Sequence, residues 1–133
     1  MKRILFYFLA LVVLIPMTAT LTSCGDDDPS DGLSGWYAAQ LPSKGSSDYD
    51  GKVYHFINGN TVVYYNFVSG KARWDYSEQL SGVKGYYVQE GAGETYTYHV
   101  IDNKVYIPMQ GRILTISGKS LRLDGSSLTF TKQ

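Results

Sequence analysis

From Leu33 to the end of the chain, apolar and polar residues alternate in short runs. Glycine, asparagine, aspartate or serine closes most of these runs. A period of two belongs to strands, and turn residues at such close intervals belong to an all-β barrel or sandwich. The C-terminal stretch RILTISGKSLRLDGSSLTFTK shows the pattern best. A loop at 117–120 pairs Ile116 with Leu121 and Leu114 with Leu123. A second loop at 124–127 pairs Leu123 with Leu128 and Leu121 with Phe130. The two registers agree. Both put Leu114, Ile116, Leu121, Leu123, Leu128 and Phe130 on one face and Thr115, Arg122 and Thr129 on the other, which predicts a three-strand meander with one buried side.

GETYTYHVIDNKVYIPM, residues 93–109, predicts a hairpin turning at Asp102-Asn103, two residues that tolerate left-handed backbone angles. That register pairs Val100 with Val105, Tyr98 with Ile107 and Tyr96 with Met109, and puts all six on a core face. Pro108 cannot donate to a ladder and belongs at a strand end or edge. KVYHFINGNTVVYYNFVSG predicts another hairpin around Asn58-Gly59-Asn60. Tyr54, Phe56, Val63, Tyr65 and Phe67 are expected on one face, and Val53, His55, Ile57, Val62, Tyr64 and Val68 on the other. Apolar residues on both faces imply either a strand covered on both sides or an exposed aromatic surface. GWYAAQL (35–41), ARWDY (72–76) and GYYVQEG (85–91) add further strands, and 77–85 reads as a loop or a single helical turn. The expected fold is all-β, an antiparallel up-and-down meander of about eight to ten short strands closing into a small barrel, with a β-sandwich as the alternative.

The N-terminus breaks this pattern. Met1, Lys2 and Arg3 precede an unbroken apolar run from Ile4 to Ile15, 12 residues long and ended by Pro16. A membrane-spanning helix needs about 20 residues, so the run fits the hydrophobic region of a signal peptide. Leu21-Thr22-Ser23-Cys24 resembles a bacterial lipobox. The resemblance implies cleavage after Ser23 and diacylglycerol on Cys24, the only cysteine. Two or three acyl chains, at about 0.8 kcal/mol per buried methylene, hold a domain on a bilayer where one chain does not. Residues 1–23 are therefore expected to be a signal peptide, 24–32 an acidic tether and 33–133 the folded domain.

Composition narrows the function. The chain carries 12 Lys and Arg against 12 Asp and Glu; without Lys2 and Arg3, ten basic side chains face twelve acidic ones, a net charge of −2. No basic run is present, so nucleic acid is not an expected partner. His55 and His99 stand alone in their strands, whereas a metal centre needs several converging ligands, so neither a metal nor another cofactor is expected. Motifs for nucleophilic serine chemistry, zinc proteolysis and phosphate loops are missing. Asp75, Glu78, Glu90 and Glu94 could be paired on paper for glycoside hydrolysis, but all fall at turns or loops, where acidic residues are common anyway. The expectation is a protein that is not an enzyme.

With the lipobox, the strand count and the tail in view, the chain resembles small lipocalin-like (calycin-like) lipoproteins of Bacteroidota. The likeness is carried by LSGWY (33–37), YHVIDNKVYI and ILTISGKSLRLDGSSLTFTK. It implies a barrel, a Trp36 plug at the barrel base, and Arg112 or Arg122 stacked on it. Gly35 and Trp36 are adjacent here, where the family usually spaces them by one residue. Asp26, Asp27 and Asp28 resemble a signal for display on the outer face of the outer membrane, with the periplasmic face as the alternative.

Recognition is then the expected task. Eleven of the twelve tyrosines and both tryptophans follow Cys24. Trp36, Tyr64, Tyr65, Trp74, Tyr76, Tyr86 and Tyr87 are the candidate ligand-binding residues. Neighbouring tyrosines on a strand point to opposite faces, so Tyr64-Tyr65 and Tyr86-Tyr87 cannot all be core unless both sides are covered. The first expectation is a binding module for a small molecule, glycan or peptide. The second is a structural or interaction protein with a filled barrel, such as an envelope-complex subunit or a protease inhibitor.

Overall fold

The computed structural model describes residues 33–133. The expected signal peptide at 1–23, the expected tether at 24–32, and with them Cys24, Asp26, Asp27 and Asp28, lie outside the described residues. The strands are β1 (Gly35–Ala39), β2 (Gly51–Asn58), β3 (Thr61–Val68), β4 (Glu78–Gln79), β5 (Tyr87–Val88), β6 (Glu94–Thr97), β7 (His99–Ile101), β8 (Lys104–Ile107), β9 (Arg112–Ser117), β10 (Ser120–Leu123) and β11 (Thr129–Lys132).

Nine of them form one antiparallel sheet in the order β6-β3-β2-β1-β11-β10-β9-β8-β7. Its two edge strands are consecutive in the chain, separated only by Tyr98. Residues 94–101 thus act as one bent strand. The first half pairs with β3 (Val62 opposite Tyr96) and the second with β8 (His99 opposite Tyr106). The sheet curls round until its edges are two halves of the same segment, which makes a nearly closed up-and-down barrel of lipocalin-like form. Both ends of the domain meet in its wall, where β1 pairs with β11 (Tyr37 opposite Lys132). Closure in this way leaves little unpaired edge.

The bend is held by Tyr98. Its backbone N–H donates to Asn60 O at 3.0 Å, and its hydroxyl lies 2.6 Å from Asn58 O and accepts from Leu33 N at 3.0 Å. Its ring meets Phe56 edge-on at 5.0 Å.

The barrel interior is filled. Tyr37, Tyr54, Phe56, Val62, Tyr64, Tyr98, Val105, Ile107, Leu114, Leu121 and Phe130 are buried together. Tyr54 packs at 4.6 Å from Tyr64 and 4.8 Å from Phe130, ring centre to ring centre. Such rings fill a narrow barrel, and each fully buried one contributes about 2–3 kcal/mol. The C-terminal meander has the expected register: Leu121 lies opposite Ile116 and Phe130, and Leu123 opposite Leu114. Asp102 takes the left-handed angle its turn needs, φ 58°.

A second apolar layer lies outside the barrel. The excursion between β3 and β6 folds back over β1–β3, and its Leu80, Val83, Tyr86 and Val88 pack on Ala38, Val53 and Val68. Ser69 and Tyr87 exchange two backbone hydrogen bonds of 2.8 Å that dock it. Gly82 lies against Trp36 so closely that a Cβ there would meet the indole at 2.1 Å. The outward apolar residues Val53, Tyr65 and Val68 of the β2–β3 hairpin are thus covered on both sides, while Ile57 and Phe67 remain more than half exposed.

Several expectations are corrected. Tyr54 faces Tyr64 and Phe56 faces Val62, so Val62 and Tyr64 belong to the inner side and Val63 and Tyr65 to the outer; a register shift between Phe56 and Asn58 accompanies the tight turn. Tyr96 pairs with Val62 rather than Met109. Pro108 starts a 3₁₀ turn (Pro108–Gln110), β8 stops at Ile107, and Met109 is 80% exposed instead of core. The segment 72–76 is a tight turn closed by Arg73 and Tyr76, not a strand. β1 ends at Ala39, short of Leu41.

Replacing Tyr98 by Phe keeps the ring and deletes the hydroxyl, stranding Asn58 O and Leu33 N–H. The expected loss is about 1–3 kcal/mol in urea unfolding, with hydrogen exchange rising first at 94–101. An unchanged unfolding midpoint would show that the hydroxyl does not hold the seam.

Candidate functional site

The expected aromatic residues divide into two groups on different sides of the wall. Trp36 leaves β1 outward, so it is not a barrel plug. It stacks on the His55 imidazole at 3.7 Å with 10° between planes, and on Tyr65 at 6.3 Å. The excursion covers it, Tyr86 is buried in the same layer, and Lys44 Nζ sits 6.0 Å from the Tyr86 ring centre. Tyr87 docks the excursion through its backbone, in the Ser69 bridge. Trp36, Tyr65, Tyr86 and Tyr87 thus attach the excursion to the barrel. Burial pushes the His55 imidazole below its ordinary pKa.

The second group lies where β3 ends and β6 begins. A crevice of about 250 Å³ opens there, lined by Tyr64, Asn66, Phe67, Tyr76, Gln89, Ala92, Gly93 and Glu94. Tyr64 serves both sides: its ring belongs to the barrel core and its hydroxyl lies 3.2 Å from Asn66 Oδ1. Beside the crevice, Tyr76 stacks on Tyr49 at 5.0 Å, 15° between planes. The Arg73 guanidinium lies 5.0 Å from the Tyr49 ring centre and 5.5 Å from that of Tyr76. Its Nε is 2.6 Å from Asp75 Oδ1. Trp74, at the tip of the 73–76 turn, is 89% exposed, and Phe67 is 54% exposed. Large apolar side chains so open to water mark an interaction surface when they cluster.

Behind Tyr64, at the same end of the barrel, is a polar group. Arg112 opens β9 opposite Ile107, hence on the inner face. Its Nη1 donates to the Tyr54 hydroxyl at 3.1 Å, and its guanidinium lies 5.1 Å from the Tyr64 ring centre. The Tyr54 hydroxyl donates in turn to Gln110 Oε1 at 2.6 Å. Burial pushes the Tyr54 phenol up to about 12, with the Arg112 contact pulling the other way, so it stays protonated. Of the two arginines expected near Trp36, Arg112 stacks on Tyr64 instead. Arg122 stands on the opposite, exposed face of the meander.

A wider hollow of about 630 Å³ lies along the loop from Gln40 to Asp50, with largely exposed walls and no aromatic side chain. The turn carboxylates have local partners: Asp75 with Arg73, Glu78 with the Gly91 N–H at 3.1 Å, and Glu94 with the Tyr96 hydroxyl at 2.8 Å. Among the described residues no group of three His, Cys, Asp or Glu is placed to hold a metal ion.

Of the candidates named from sequence, Tyr64 and Tyr76 line the crevice, and Trp74 stands exposed in the turn that carries Tyr76. Tyr49, Arg73 and Arg112 stand beside them and were not foreseen in these places. Tyr49 and Arg73 sit in irregular loops with no period to read. Arg112 did carry a signal, since it shares parity with Leu114 and Ile116 and therefore their face.

No family model, no curated protein and no solved structure matches the chain. The fold is a lipocalin-like barrel by its topology.

The lowered His55 pKa gives a pH dependence of known sign. Where the unfolded imidazole is protonated and the folded one is not, the unfolded state binds more protons. The stabilising contribution is thus fully present above about pH 6.5 and is lost as pH falls through the lower folded value. Stability should fall as pH drops below about 7, and less so in His55→Gln. An NMR titration giving His55 an ordinary or raised pKa removes this prediction.

Proposed function

We propose that the protein is a non-enzymatic recognition module of the small lipocalin-like lipoprotein kind. An acylated Cys24 holds it on the outer membrane, and its ligand binds on the aromatic rim rather than inside the barrel. The observation that carries the reading is the contrast between a filled interior and the crevice end, where Phe67 and Tyr76 line the crevice beside polar groups, Tyr49 stacks on Tyr76, and Trp74 stands exposed in the turn that carries Tyr76. A crevice of about 250 Å³ is below the roughly 300–1,000 Å³ that small-molecule pockets occupy. It suits one ring or side chain of a larger ligand. Trp74 offers a free face for stacking, while Asn66 and Gln89 offer amide donors and acceptors to hydroxyl groups. A glycan fits this combination best among the small-molecule, glycan and peptide ligands considered.

The second reading, a structural or interaction protein, draws on the filled barrel and on another surface. His99, Tyr106 and Ile113 lie side by side across β7, β8 and β9, with Ile101 beside them 52% exposed. Such a row would contact a partner protein.

Trp74→Ala is expected to weaken binding at least tenfold on a glycan array or by calorimetry, about 1.4 kcal/mol, with stability unchanged to within about 0.5 kcal/mol. Failure of every glycan, peptide and small ligand to bind the wild-type protein favours the second reading. For the anchor, radiolabelled palmitate should enter the wild-type protein and not Cys24→Ala. Labelling that persists in the variant rules the acylated cysteine out.

A further inference from the structure

We propose that Arg112 makes the mouth of the barrel an anion subsite, and that the glycan class recognised there is acidic, carrying a carboxylate such as that of a uronic acid. The inference rests on the rim-binding reading above and deepens it.

An arginine on the inner face of a filled barrel is costly unless its charge is answered. Its cross-strand partner Ile107 is fully buried, and so is Leu114, two residues along the same face. Arg112 itself is half-buried. Yet among the described residues no carboxylate lies within 4.0 Å of it; the ion pairs are Arg73–Asp75 and Lys104–Asp124. The carboxylate at this end, Glu94, is engaged by the Tyr96 hydroxyl. What holds the guanidinium is neutral: the Tyr54 hydroxyl and the Tyr64 ring. A guanidinium has five N–H donors in a planar fork, and one of them makes the bond to Tyr54. The remaining donors are matched to a carboxylate, which takes two parallel charge-assisted hydrogen bonds.

The surroundings choose the ligand. Tyr64 separates Arg112 from the crevice and touches both, since its ring lies under the guanidinium and its hydroxyl reaches Asn66 in the crevice wall. A ligand in the crevice is therefore one side chain away from the Arg112 charge, which no carboxylate pairs within 4.0 Å among the described residues, and its own carboxylate must point past Tyr64 toward Arg112 and away from Glu94 in the crevice wall. A sugar ring uses the aromatic faces and the amides of Asn66 and Gln89. A peptide would ordinarily add to a sheet edge. Here the edges of the main sheet are two halves of one strand that closes the barrel, and the 3₁₀ turn 108–110 packs beside β6.

The test compares sodium glucuronate with glucose on the full chain, by NMR of the arginine side-chain N–H signals and by calorimetry. Glucuronate should shift the Arg112 signal saturably and bind at least tenfold more tightly than glucose, about 1.4 kcal/mol. Sodium sulfate should compete with it. Arg112→Gln should bring glucuronate down to the level of glucose, and Arg112→Lys should fall between, because lysine keeps the charge and loses the fork. If Arg112→Gln does not fold, the wild-type shift and the lysine variant decide. Equal affinity for glucose and glucuronate, both lost in Trp74→Ala, would overturn the acidic class and leave the rim reading intact. Binding of a peptide with a free C-terminal carboxylate, but not of its amide or of glucuronate, would overturn the glycan assignment. No saturable shift with any of these probes would overturn the subsite.

Discussion

Everything in this domain depends on one strand segment serving as both edges of the sheet. Residues 94–101 leave β3 and reach β8 within a few residues, and Tyr98 sits at the crossing. A strand can change partners only where its ladder is interrupted, and the interruption exposes backbone groups that need new partners. Tyr98 answers this with its own N–H on Asn60 and its hydroxyl at Asn58 and Leu33. The same ring fills the barrel against Phe56. Closure and core packing are therefore one event, without a disulfide, since the chain has a single cysteine.

A barrel closed so tightly has consequences for what it can bind. The inner face carries five buried aromatic rings, from Tyr37, Tyr54, Phe56, Tyr64 and Phe130, besides that of Tyr98. Their volume takes the place a carried ligand would occupy in a wider barrel. The open crevice lies instead at the rim, where β3 hands over to the excursion and Arg112 meets Tyr54 and Tyr64. The excursion then has two duties. Its apolar side covers β1–β3 around Trp36, and its 73–76 turn presents Trp74 and Tyr76. Its attachment to the barrel and its display of the rim are coupled through Tyr65, Tyr86, Tyr87 and Ser69.

Much of the wall was legible in advance, for a local reason. Where a turn is short and one face is apolar, register follows from parity, as at Leu114–Phe130 and at the Asp102-Asn103 hairpin. The errors cluster where local signals compete. Pro108 could end a strand or edge it, and it ended β8, which put Met109 in solvent. Between Phe56 and Asn58 the register shifts, which moved Val62 and Tyr64 inward. ARWDY has aromatic and charged residues in a strand-like order, but Arg73 and Tyr76 bond to each other and make it a turn.

By itself the sequence determined an all-β meander of short strands and the six-residue apolar face of its last three strands, and left β2 and β3 open between cover on both sides and an exposed aromatic surface. These follow from period, parity and turn chemistry, all of which act over a few residues. Only the tertiary structure decided which tyrosines are core and which are rim, that Trp36 faces outward onto His55, and that Arg112 stands at the mouth with no ion-pair partner among the described residues. Those facts depend on contacts between segments far apart in the chain. Tyr54 and Arg112 are 58 positions apart, and no pattern along the chain records that closure brings them together.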